Sequence, residues 1–184
     1  MKKIFILATF ILIASCKINT IVTNDTSKLK EITLDKIWDG TFSPERMNAL
    51  NAMNGDFYSL LNTDNSGNTT VDKYSYKTLE KVQTIVNSAN LEDLNNFSSY
   101  TFNTKESSLI LGTNFKKIYR RSFTGTFYYY NIATKKLTLI GKDIQEPTFS
   151  PDSKKIVYAK NNNIYVLSLT NKNTLTQVTK DGKF

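Results

Sequence analysis

The chain has 184 residues, 40% of them hydrophobic and 22% charged, which is room for one ordinary folded domain behind a leader. It has no His and one Cys, so no Ser-His-Asp triad, Cys-His pair, intrachain disulfide or multi-cysteine zinc site can be completed within it. The net charge of +8 comes from lysines scattered as singles and pairs, such as Lys116-Lys117 and Lys154-Lys155, so a solvated surface is expected and nucleic acid binding is not.

Taken in order, residues 1–16 read as an export signal. Lys2 and Lys3 precede an apolar run from Ile4 to Ile13, followed by Ala14, Ser15 and Cys16. The run is shorter than the roughly 20 residues a membrane-spanning helix needs. Ile13-Ala14-Ser15-Cys16 is similar to a bacterial lipobox, whose Cys becomes the lipidated first residue; the alternative is an ordinary secretory signal with an incidental Cys. Residues 17–30 are polar and suit a tether. The protein is therefore expected at the bacterial cell envelope, in the periplasm or anchored to the membrane through Cys16.

Residues 31–184 show short apolar runs broken by turn residues, with ten Tyr and eleven Phe favouring strands. Helical signals are limited to Ser43–Leu50 and Leu91–Asn95. The clearest unit starts at the Phe149-Ser150-Pro151-Asp152-Ser153 turn. Strands are expected at Ile156–Ala159, Ile164–Leu169 and Leu175–Thr179, with a tight reversal at Asn161-Asn162-Asn163. Phe102-Asn103-Thr104-Lys105-Glu106-Ser107 repeats that opening turn 47 residues earlier. Leu109–Leu111, Phe127–Ile132 and Leu137–Ile140 follow it as strands, with an insertion near Asn114 to Gly125. A weaker copy has Phe57–Leu61, Thr70–Tyr76 and Lys81–Ile85. A period of about 45 residues with three or four strands per unit is the pattern of propeller blades. The expected fold is all-β: a partial β-propeller of about three blades. Trp38 and Tyr128-Tyr129-Tyr130 are expected to pack between strands. Asp64-Asn65-Ser66-Gly67-Asn68 reads as a hairpin turn rather than a calcium loop, and no carboxylate spacing marks an acid/base pair. No cofactor or metal site is expected.

Three stretches resemble the dipeptidyl peptidase IV family of serine exopeptidases. Ile32-Thr33-Leu34-Asp35-Lys36-Ile37-Trp38 with Thr41-Phe42 is similar to the start of its mature bacterial members. Asn114-Phe115-Lys116-Lys117-Ile118-Tyr119-Arg120-Arg121-Ser122-Phe123 resembles an insertion in an early blade. Pro147 to Val178 is similar to the blade that follows. The resemblance implies an eight-bladed propeller over an α/β-hydrolase domain that removes N-terminal dipeptides, preferably after Pro or Ala, in members that are often dimeric. It also implies that Arg120 reaches the active-site cavity and holds a substrate carbonyl; without it, Arg120 and Arg121 are a basic surface turn. The family's paired-Glu segment and its Ser, Asp and His do not occur here. The chain is therefore expected to be a propeller fragment that is inactive and poorly stable alone, its peptide substrate met through a missing hydrolase domain. Two alternatives stay open: a non-enzymatic envelope propeller lipoprotein that binds a peptide or protein, and a small unrelated β-barrel.

Overall fold

In the computed structural model the described residues are 32–44, 48–170 and 174–183. The export segment, Cys16 and the whole tether, residues 17–30, lie outside them. The chain divides into two compact units, residues 1–46 and 47–184.

In the first unit, Leu34–Trp38 forms a short helix, α1. Thr33 caps it by accepting a 3.3 Å hydrogen bond from the Lys36 amide. Trp38 is 84% exposed, so it does not pack between strands. No helix among the described residues is long and apolar enough to cross a membrane.

The second unit is built of antiparallel meanders. One sheet holds β1 (Leu50–Met53), β2 (Phe57–Thr63), β3 (Thr69–Ser75) and β4 (Lys81–Asn87) in sequential order. A second sheet of seven strands holds β5 (Ser99–Phe102), β6 (Ser108–Lys117), β7 (Phe123–Asn131), β8 (Lys136–Phe149), β9 (Lys155–Lys160), β10 (Asn163–Ser168) and β11 (Leu175–Gln177). The long β8 belongs to two meanders. Its first part pairs with β7 as far as Gly125↔Ile144, and its second pairs with β9 from Gln145↔Ala159. Between them Asp143 and Glu146 take φ of +53° and +49°, which breaks the register and turns the strand out of one meander into the next. The unit thus reads β1–β4, β5–β8, β8–β11: three successive four-strand meanders, as in a partial propeller.

Packing follows from strands buried on both faces. In β6, Leu109 and Leu111 are fully buried on one side with Val71, Ile85 and Val86 of the first meander. Ile110, between them, joins Phe127, Ile144, Ile156 and Leu167 on the other. A run that is apolar at consecutive positions needs a sheet against each face, and stacking supplies both. Tyr130 is buried, and Tyr128 and Tyr129 are half-buried.

The repeated turn is visible in the backbone. Asn103 Oδ1 accepts from the amides of Ser107 and Ser108 at 2.9 and 3.1 Å. Ser150 Oγ accepts from the amide of Lys155 at 2.9 Å. Glu106 and Ser153, also 47 residues apart, both lie at positive φ, +52° and +61°. The helical expectations fare differently. Leu91–Asn95 is not helical; a single 3-10 turn sits just before it at Ser88–Asn90. Part of Ser43–Leu50 lies outside the described residues, and its last residue begins β1. Asp64 closes the β2–β3 hairpin, its carboxylate accepting from the amides of Ser66 and Asn68 at 2.9 and 2.8 Å.

Candidate functional site

Strands in a meander alternate direction, so the β2–β3 turn, the β4–β5 connection, the β6–β7 hairpin, the mid-β8 bulge and the β9–β10 turn share one edge of the second unit. Among the described residues the β6–β7 hairpin has the longest pair of strands at that edge, and its outer part is the insertion expected near Asn114 to Gly125. From Ser108 to Thr113 β6 is buried, and from Asn114 to Lys117 it is exposed. The change falls at a bulge: Thr113 pairs with Thr126 and Lys116 with Thr124, so Asn114 and Phe115 oppose the single residue Gly125. Asn114 takes φ of +52°, a conformation its short polar side chain tolerates.

Beyond the bulge, the arm holds two cross-strand pairs, Lys116↔Thr124 and Lys117↔Phe123. The amides of Ile118 and Tyr119 donate to the Ser122 carbonyl at 2.9 and 3.3 Å and close the tip. Arg120 and Arg121 stand exposed on that tip, and among the described residues neither makes an ion pair. Lys116 Nζ meets Asp143 Oδ1 of β8 at 2.8 Å. That ammonium first, with Lys160 and Lys142 adding to it, holds the Asp143 carboxyl below the usual carboxylate range. Beside the arm lies a cleft of about 360 Å³ lined by Ile118, Tyr119, Thr124, Gln145, Asn161 and Asn162 among others. Tyr119 is 63% exposed at its mouth.

An exposed guanidinium on a projecting hairpin can present a rigid fork of donors to a carbonyl or carboxylate, and its charge does not titrate. Catalysis needs more than this, and no cluster of three or more metal-ligating side chains occurs among the described residues. Sequence reasoning placed Arg120 in an insertion but missed what holds that insertion. Phe115 packs edge-on against Phe127, with centroids 5.5 Å apart, over Gly112 and Gly125. The signal was available: isolated Gly within strand patterns marks a bulge or a close approach.

Comparison with known proteins agrees with this geometry. Residues 103–184 match the family model described as the dipeptidyl peptidase IV (DPP IV) N-terminal region. The chain is 32% identical over 111 residues to dipeptidyl aminopeptidase B of Saccharomyces cerevisiae, covering 60% of this chain and 13% of that protein. It is 26% identical over 181 residues to prolyl endopeptidase FAP of Bos taurus, covering 97% of this chain and 23% of the relative. The crystal structure of Porphyromonas gingivalis dipeptidyl peptidase 4 superposes with a TM-score of 0.70 at 25% identity, over 84% of this chain and 22% of that one. The chain therefore spans less than a quarter of the length of each of these relatives.

Proposed function

We propose that this chain belongs to the dipeptidyl peptidase IV family and forms the opening blades of a serine-type dipeptidyl peptidase, with Arg120 as a substrate contact. The reaction would be release of N-terminal dipeptides after Pro or Ala, with nucleophile, base and amine-binding carboxylates supplied by sequence outside this chain. The observation that carries the reading is the projecting arm: the one long hairpin on its edge ends in an unpaired guanidinium, within the region the family model matches.

The proposed role of Arg120 is to hold a backbone carbonyl of the bound dipeptide. A charged hydrogen bond of this kind is worth about 1.5–3 kcal/mol, or roughly 10- to 100-fold in affinity. Arg120→Ala in the full-length protein is expected to raise KM by about that factor. Arg120→Lys recovers part of it, because an ammonium keeps the charge but not the planar fork. Arg121→Ala, one residue along the tip, serves as the control and leaves KM within about twofold. Equal effects of the two alanine variants would mean that the tip acts only as a diffuse basic surface.

Export of the protein is in keeping with these relatives. The finer placement, a lipid anchor on Cys16 at a bacterial envelope, belongs to the same proposal and rests on the lipobox-like Ile13-Ala14-Ser15-Cys16. Cys16→Ser is expected to move the protein from the membrane fraction to the soluble one. Retention of the variant in the membrane fraction counts against the anchor.

A further inference from the structure

We propose that the base of the arm is a clamp that sets the position of Arg120, with Phe115 and Asp143 as positioning residues; the inference rests on the reading of Arg120 given above. Past the bulge the arm is a two-stranded ribbon with only two cross-strand pairs, and such a ribbon is marginal in water on its own. On β6, the pairing with β5 stops at Gly112↔Ser99, so among the described residues that strand of the arm pairs with no strand on its outer side. Something other than sheet pairing must hold the tip.

Two contacts do so, one apolar and one charged. The Phe115 ring turns back from the bulge and sits at 83° to Phe127, which belongs to the buried cluster between the second and third meanders. It has room there because residues 112 and 125 are glycines. A Cβ on Gly125 would lie 3.0 Å from Phe127 and 3.1 Å from Phe115, and one on Gly112 would lie 2.7 Å from Phe115 and 2.9 Å from Phe127. A Cβ on Gly112 would also meet Ser99 Oγ of β5, whereas the nearest neighbours of one on Gly125 are the two rings, so Gly125 is the position whose side chain presses on the seat of the arm. The second contact joins Lys116 to Asp143, which β8 presents at its own bulge with φ of +53°. This pair ties the arm to the strand that turns into the third meander. Its side chains are 71% and 59% exposed, so it contributes little to overall stability. Its effect is on direction: it draws the arm towards β8, whereas the ring fixes where the arm leaves the sheet.

A purely structural role for these residues predicts a different outcome from a positioning role. Phe115 is 40% exposed and stands outside both buried clusters, so truncating it removes little core. A misplacement of about an ångström at a substrate contact, by contrast, can cost up to about a hundredfold.

The experiment uses the full-length protein with a Gly-Pro amide substrate, and reads steady-state kinetics, thermal midpoints and amide hydrogen exchange over residues 116–124. Phe115→Leu and Gly125→Ala are expected to raise KM by about five- to tenfold with kcat within about twofold, and to speed exchange in the arm. Asp143→Lys raises KM likewise, and adding Lys116→Asp to it restores KM, which a merely structural role would not do. Unchanged KM in the Phe115 and Gly125 variants, in a protein where Arg120→Ala does raise it, overturns the clamp and leaves the role of Arg120 standing. If Arg120→Ala leaves KM unchanged, the substrate reading fails first. Arm exchange then decides the clamp: faster exchange in Phe115→Leu supports it, and unchanged exchange overturns it.

Discussion

At the scale of single residues, the two side chains that matter most face opposite problems. Arg120 stands in water on a hairpin tip, and the role proposed for it needs a side chain that is uncommitted. Asp72 is 3% exposed on β3 and is fully committed. Burial by itself pushes its carboxyl up. Hydrogen bonds from Thr84 at 2.6 Å, Asn62 at 2.8 Å and Thr70 at 2.9 Å, with Lys81 at 3.4 Å, outweigh that and hold it below the ordinary range. A carboxyl whose folded pKa lies below its unfolded value, about 3.9, stabilises the fold fully above that value. The contribution is lost as pH falls through the lower, folded pKa. Asp72→Ala removes the acceptor shared by Asn62 and Thr70, both half-buried, and by the exposed Thr84, and is expected to cost about 2 kcal/mol at pH 7. The gap between wild type and variant narrows below about pH 4. Denaturant midpoints at pH 7 and pH 3 check this, and a gap that stays constant across the two contradicts it.

At the scale of elements, what could be read in advance followed local chemistry. Asn161 and Asn162 form the two-residue β9–β10 loop at φ of +48° and +61°, which is why a run of Asn was legible as a reversal. The Phe-Ser-Pro-Asp turn was legible for a similar reason: Ser150 and Asp152 bond the backbone ahead of them. The strands that escaped notice carry no such marks. β1 is mostly exposed, and its residues, Leu50-Asn51-Ala52-Met53, show no alternation of apolar and polar side chains. Of β5 only Phe102 carries a legible signal, as the first residue of the turn that follows it, and Ser99-Tyr100-Thr101 carry none. The 14 residues of β8 were divided between a strand and a turn, because its two positive-φ residues are Asp143 and Glu146 rather than Gly. Trp38 misled by type: aromatic residues dominate buried cores, yet this one lies on a five-residue helix in water. At the candidate site the arm was legible as an insertion and Arg120 by resemblance. The Phe115 seat and the Asp143 tie were not, since both depend on which strands the fold brings together.

At the scale of the whole molecule, the second unit has the logic of a repeat protein. Each meander is too thin to bury both of its faces, and the middle one, with Leu109 and Leu111 on one side and Ile110 on the other, is covered twice. The third meander keeps Val157 and Ile164, on the face opposite Ile156 and Leu167, 38% and 44% exposed. In the proposed peptidase these are the positions that a following blade covers. The same stacking carries the arm, because the ring that seats Phe115 is itself part of the packing between meanders. If Arg120 meets substrate as proposed, substrate geometry and blade packing are linked through Phe127.

If this chain opens the propeller of a dipeptidyl peptidase, as proposed, cleavage itself shows it. The full-length protein is incubated with a peptide bearing Pro at its second position and a free amine, and with the same peptide N-acetylated, and the products are read by mass spectrometry. Release of the N-terminal dipeptide from the free peptide and none from the acetylated one is the expected result. Binding without cleavage of either peptide, or cleavage of both at internal bonds, contradicts it.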